Sequence, residues 1–113
     1  MPASRTRDPF AAIADPTRRA ILDLLRTQPS LTAGAIAAEF PSISRPAVSK
    51  HLGVLRDASL VRTREQGREW HYSLDPAPLA AVYEDWLRNF VALGDQSLRQ
   101  LKQRAERGSV RKR

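Results

Sequence analysis

Ser44-Arg-Pro-Ala-Val-Ser-Lys-His-Leu-Gly-Val-Leu-Arg-Asp-Ala-Ser-Leu60 is the stretch that decides the fold. Val48, Leu52 and Leu55 fall at i, i+4 and i+7, the spacing of one apolar stripe on a helix. Ser44 is placed to cap the start. Pro46 is tolerated in the first turn, where a missing N–H loses no intrahelical bond. The opposite side carries Arg45, Pro46, Ser49, Lys50 and Gly53. That face is small and basic, so it can lie against a polyanion without a steric barrier. A helix that enters the major groove of DNA needs such a face. His51 lies beside the stripe, three residues after Val48, and suits either a phosphate or base contact or a structural one.

Upstream, Thr32 is the expected cap of a short helix from Ala33 to Phe40. Pro41-Ser42-Ile43 is the turn between it and the decisive helix, expected from Arg45 to Ala58. Helix, tight turn and helix at these lengths form a helix-turn-helix. Further upstream, Asp8-Pro9 and Asp15-Pro16 each read as an N-cap followed by proline at the first helical position. The first opens a short segment, Phe10 to Ala14. The second opens a helix from Pro16 to Thr27, with Ala20, Ile21, Leu24 and Leu25 in one stripe.

Downstream, the period changes. Val61–Arg64 and Glu69–Leu74 read as strands joined through Glu65-Gln66-Gly67-Arg68. Trp70, Tyr72 and Leu74 share one face and His71 faces away. Arg62 and Arg64 lie on one face of the first strand, and Arg68 is at the tip. A basic hairpin directly after such a helix is a wing, able to reach phosphates or the minor groove.

Asp75-Pro76-Ala77-Pro78 then breaks the chain before a long helix expected over 78–104, roughly 40 Å at ~1.5 Å per residue. Its band of Leu79, Val82, Tyr83, Trp86, Phe90, Leu93, Ser97, Leu98 and Leu101 exceeds what a small winged helix needs for its own core. Part of it is read as a dimer seam, made by Leu79, Val82, Trp86, Phe90, Leu93 and Leu101 with help from Phe10. Gly94 is placed to kink this helix or to admit close packing. The expected fold is mainly α with a small β-hairpin: a dimeric winged helix-turn-helix of about five helices and a two-stranded wing. Residues 1–7 are expected to be disordered, 8–104 to form the domain and 105–113 to be a basic tail.

The chain has 113 residues, room for one domain with a modest core. A net charge of +7 favours an acidic partner. Arg107, Arg111, Lys112 and Arg113 carry part of that excess. They form either a solvated end or an arm on DNA phosphates, and the body stays positive without them. The absence of cysteine excludes disulfides and thiolate metal sites. Neither a membrane span nor a signal peptide is evident, so a cytoplasmic location is expected.

No catalytic constellation occurs, so no enzyme is expected. His51 and His71 are the only histidines, and neither has a partner at metal-ligand spacing. No cofactor is expected. Trp70 and Trp86 are read as core aromatics.

Three stretches together resemble the ArsR/SmtB family of winged-helix repressors. They are Ala14-Asp-Pro-Thr-Arg-Arg-Ala-Ile-Leu-Asp-Leu-Leu25, Ser44-Arg-Pro-Ala-Val-Ser-Lys-His-Leu-Gly-Val-Leu55 and Leu60-Val-Arg-Thr-Arg-Glu-Gln-Gly-Arg-Glu-Trp-His-Tyr-Ser-Leu74. The resemblance covers residues 8–104 and implies a homodimer, joined by its first and last helices, that represses transcription at an operator. The DNA-binding residues expected are Ser44, Arg45, Pro46, Ser49, Lys50 and His51 on the helix, and Arg62, Arg64 and Arg68 on the wing. The cysteines of metal-sensing members are absent, and the last helix carries Glu84, Asp85, Asp95 and Glu106 without a histidine. The chain therefore looks similar to the non-metal subgroup. Expected partners are a palindromic double-stranded DNA operator and a second copy of the chain, with room for a small-molecule effector. The alternative is a winged helix used for protein contacts, whose recognition face would more naturally be apolar than basic.

Overall fold

The computed structural model describes the backbone of residues 8–111 and the side chains of residues 8–106. The segment 1–7, Lys112 and Arg113 lie outside the described residues, as do the side chains of Arg107 and Arg111. The chain divides into a unit ending at Ala80 and a unit beginning at Ala81.

The first unit opens with α1 (Pro9–Ala12) and α2 (Pro16–Thr27). Both start on an aspartate. The Asp8 carboxylate accepts from the Phe10 N–H at 3.0 Å. That of Asp15 accepts from Thr17 at 2.8 Å and Arg18 at 3.1 Å. The prolines at the first helical position have no N–H to leave unsatisfied. Next come β1 (Leu31–Thr32) and α3 (Ala33–Ala38), capped by Thr32 Oγ1 accepting from the Ala35 N–H at 3.1 Å. α3 stops short of Phe40, because Glu39 and Phe40 donate back only three residues and tighten the last turn.

α4 (Arg45–Asp57) is the decisive helix. Its end is a Schellman motif: Leu60 N–H donates to the Leu55 carbonyl and Ser59 N–H to that of Arg56, both at 2.9 Å. Ser59 takes φ 60°, a conformation usually left to glycine. Leu55 and Leu60 are both fully buried, the apolar contact that accompanies this motif.

β2 (Val61–Gln66) and β3 (Glu69–Leu74) form an antiparallel hairpin, and β1 adds a third strand in the order β1-β3-β2. The third strand was not expected. Only two residues long, it shows no period of its own, and its pairing is non-local: Leu31 faces Tyr72 and Thr32 faces His71. The hairpin is also tighter than expected. Glu65 and Gln66 pair with Trp70 and Glu69, so the connection is Gly67-Arg68 alone, with Gly67 at φ 65°.

The core gathers Ile21, Leu22 and Leu25 of α2, Ile36 of α3, Val48, Leu52 and Leu55 of α4, then Leu60 and Val61. Each large apolar side chain so buried contributes about 1.5–3 kcal/mol. Leu22 joins the core, while Ala20 and Leu24 of the expected α2 stripe are only half-buried. α2 meets both α4 and β3, which widens its buried arc. Tyr72, Leu74 and Leu79 pack against this core. Trp70 shares the strand face with Tyr72 and Leu74 yet is 51% exposed, since β3 has there left the core for the projecting hairpin. Its reading as a core residue is therefore corrected.

α5 (Ala77–Val82) crosses from the first unit into the second, where a π turn, Tyr83–Leu87, and α6 (Arg88–Arg111) follow. The expected uninterrupted helix is thus broken by a wide turn. Regular helix also continues through residues assigned to the tail as far as 111. Across the π turn Glu84 and Arg88 form an ion pair, and the Trp86 and Phe90 rings stand 4.7 Å apart. Gly94 borders open space: a β-carbon there would meet nothing within 4 Å. Trp86, Phe90, Leu93, Leu98 and Leu101 are all exposed, so Trp86 is not a core residue either. Val82 is buried within the chain. No helix among the described residues is long and apolar enough to cross a membrane.

Candidate nucleic-acid interface

The α4 face opposite the core stripe is solvent-exposed at Ser44, Arg45, Pro46, Ser49 and Lys50. The stripe itself, Val48, Leu52 and Leu55, is at most 1% exposed, so the helix cannot roll to hide its basic side. Ser44 Oγ accepts from the Ala47 N–H at 3.2 Å and caps the first turn. Arg45 lies back toward α3: a β-carbon on Gly34 would sit 3.7 Å from its guanidinium. Gly53, placed on the open face by spacing alone, is half-buried and lies against Arg56.

His51 is half-buried and has a definite partner. Its Nδ1 lies 3.3 Å from Nη1 of Arg18 on α2. The same guanidinium donates through Nε to the Ala12 carbonyl at 2.7 Å and through Nη2 to that of Ala11 at 3.2 Å. Arg19 likewise donates to the carbonyls of Ile13 and Ala14. The two arginines thereby satisfy the Ala12, Ile13 and Ala14 carbonyls at and after the end of α1, and the Ala11 carbonyl shares Arg18 with the Ala14 N–H. The signal for them in the sequence is the Arg18-Arg19 pair, three and four residues after the Asp15 cap and off the apolar stripe.

Asp15 belongs to the same cluster. The Arg18 N–H bonded to its carboxylate holds its pKa below the ordinary aspartate value; the Thr17 N–H and the charges of His51 and Arg18 act the same way against a partial desolvation.

On the wing the three arginines differ. Arg68 is exposed in the two-residue turn. Arg64 donates through Nη2 to Gln66 Oε1 at 3.3 Å. Arg62 stands at the foot of the hairpin, where its Nε pairs with Asp75 Oδ2 at 3.3 Å. Of the nine residues expected to meet DNA, Ser44, Arg45, Pro46, Ser49, Lys50 and Arg68 are exposed and make none of these side-chain ion pairs. His51 and Arg62 are engaged within the fold. Of the residues expected at a dimer seam, Phe10, Trp86, Phe90, Leu93 and Leu101 are exposed, while Leu79 and Val82 are packed within the chain. Among the described residues no cluster of three or more His, Asp or Glu side chains could hold a metal ion.

A family profile described as a helix-turn-helix domain matches residues 13–64. The transcriptional repressor SdpR of Bacillus subtilis is 43% identical over 89 residues, spanning 79% of this chain and 96% of that protein. The HTH-type transcriptional regulator Rv2034 of Mycobacterium tuberculosis is 50% identical over 76 residues, 67% of this chain and 69% of its own length. Among solved structures, an ArsR-like transcriptional regulator from Rhodococcus sp. RHA1 superposes with a TM-score of 0.62 at 35% identity, covering 83% of this chain and 86% of the other.

Proposed function

This chain belongs to the ArsR/SmtB family of winged-helix regulators, a DNA-binding transcriptional repressor, and from that premise we propose how it engages its operator. Two copies bind a palindromic site in double-stranded DNA. Each inserts the first turns of α4 into the major groove. Ser49 and Lys50 meet base edges there, with Ser44, Arg45 and Pro46 against the adjoining backbone. Arg68 at the hairpin tip, and Arg64 behind it, meet phosphates.

The observation that carries this reading is the orientation of α4, whose apolar stripe is wholly buried and whose basic face is wholly open. Two copies join through the exposed apolar side of α6, aided by Phe10. The protein acts in the cytoplasm, without catalysis and without a metal.

The test is a gel-shift titration with the promoter DNA upstream of the protein's own gene and a scrambled duplex of equal length, at two salt concentrations. A specific repressor binds the promoter tighter by a factor of about 10³ or more. Equal affinity for both duplexes would sink the proposal and favour a protein-contact module.

A further inference from the structure

The outer face of the sheet, turned away from the core, is unlike the rest of the surface. Antiparallel register sets Arg62 opposite Ser73 and Arg64 opposite His71. Val61, Tyr72 and Leu74 alternate with these four and pack toward the core, and Thr63, between the two arginines, also borders the cleft. A cleft of about 420 Å³ lies over the quartet, and Pro29 and Ser30, in the loop entering β1, form its wall.

The chemistry of this lining is one-sided. Arg62 engages Asp75 through Nε, which leaves its two Nη groups for a ligand. Arg64 engages Gln66 through Nη2 alone, leaving Nη1 and Nε. Two guanidinium forks set on adjacent residues of one strand face suit a ligand with two oxygen-bearing ends. The Ser73 hydroxyl and the His71 ring add hydrogen-bonding groups from the neighbouring strand. Two carboxylates stand near this face: Asp75 at the foot, partly neutralised by Arg62, and Glu69 toward the tip, opposite Gln66. The volume falls within the range of small-ligand sites, about 300–1,000 Å³. The cleft lies at the foot of the wing, on the sheet face opposite the one that packs toward α4.

We propose that this cleft is a binding site for a small, doubly charged oxyanion, a phosphate monoester or a dicarboxylate, distinct from the reading face of α4 and sharing Arg64 with the wing. The site assigns Arg62, which is engaged at the foot of the hairpin, a role other than phosphate contact with DNA. It stands whether or not the operator reading holds, since its test reads occupancy directly.

The experiment is ¹H–¹⁵N NMR of the full chain titrated separately with glycerol 2-phosphate and succinate, against sodium chloride at matched ionic strength. The expected result is saturable shifts at Ser30, Arg64, His71 and Ser73 with one of the two probes, below about 10 mM. Arg64→Gln, which spares the Arg62–Asp75 pair, should weaken that binding about tenfold, and Ser73→Ala should weaken it less. Neither probe saturating, or Arg64→Gln binding as the wild type does, overturns the proposal. A third arm titrates duplex operator DNA. Shifts at Ser49 and Lys50 without shifts at His71 and Ser73 support a separate site. Shifts at His71 and Ser73 with the duplex but with neither small probe assign the cleft to the DNA backbone and overturn it.

Discussion

The Arg18 guanidinium stands between the Ala11–Ala12 carbonyls and His51 Nδ1, and so joins the end of α1 to the middle of α4. Arginine can only donate, so in its neutral form the ring accepts this bond at Nδ1 and keeps its proton on Nε2. One side chain of α2 therefore fixes both the position of the reading helix and the tautomer of its histidine.

Arg18→Ala removes the donor to the Ala12 carbonyl and to His51 Nδ1, while the Ala11 carbonyl keeps the Ala14 N–H. Lost hydrogen bonds from a charged donor are each worth about 1.5–3 kcal/mol, less where the groups can rehydrate, as Ala11 can. We expect a loss of about 2 kcal/mol in urea denaturation. Operator affinity should fall further than that of Arg19→Ala, whose bonds end on α1 and the loop after it. Equal effects of the two variants on operator affinity would show that Arg18 does not act through His51.

Asp15 makes stability depend on pH in a definite direction. Its pKa is lowered in the folded chain, first by the Arg18 N–H. The stabilisation is complete above the unfolded-state pKa and is lost as pH falls through the lower, folded-state value. Asp15→Asn keeps a capping oxygen but removes the charge, so its stability relative to wild type should improve as the solution is acidified into that window. Asp15→Ala should cost about 1 kcal/mol at neutral pH. Chemical denaturation at a series of pH values reads both, and parallel curves for wild type and Asp15→Asn would contradict the assignment.

The reading helix and the hairpin tip should separate in a salt series. Lys50→Ala is expected to cost about 1–3 kcal/mol on operator DNA and to relax preference at one or two positions of each half-site. Arg68→Ala should weaken operator and scrambled DNA alike and make the salt dependence shallower by about one unit. The roles fail if Lys50→Ala lowers both affinities equally while Arg68→Ala damages only operator binding.

Leu93 and Leu101 are 60% and 59% exposed in the single chain. Burying two leucines in a seam contributes about 3–6 kcal/mol per protomer, enough to decide association at micromolar concentration. The wild type should sediment as a dimer, and a Leu93→Glu, Leu101→Glu variant as a folded monomer. A monomeric wild type would remove this role for α6.

What was legible in the sequence was local chemistry. Asp8-Pro9, Asp15-Pro16, Thr32 and Ser44 each announce a helix start through groups two or three residues away, and all four cap as expected. The Val48–Leu55 stripe fixes which side of α4 faces out, because burial follows helical period. Features set by distant partners were not legible. β1 exists only through pairing with residues forty positions on. The Arg18–His51 contact spans 33 positions. The exposure of Trp70 and Trp86 could not be read from alternation, which gives a face but not whether anything covers it. The π turn at Tyr83–Leu87 interrupts a pattern that a uniform helix would also satisfy.

The end of α4 has a mechanical consequence. Leu60 donates to Leu55 behind it, and its carbonyl accepts from the Asp75 N–H at the far end of the hairpin, both at 2.9 Å. Helix and wing are thus hinged to nothing: the joint is locked from both strands of the hairpin and sealed by a buried leucine. The two act as the jaws of a fixed caliper, whose gap is set by the backbone and not by the DNA. One residue inserted between Ala58 and Leu60 would break that lock. If the helix absorbed the insertion, the jaws would be turned out of phase by about 100°. For the proposed contacts, this joint sets the spacing between base and phosphate contacts in a half-site.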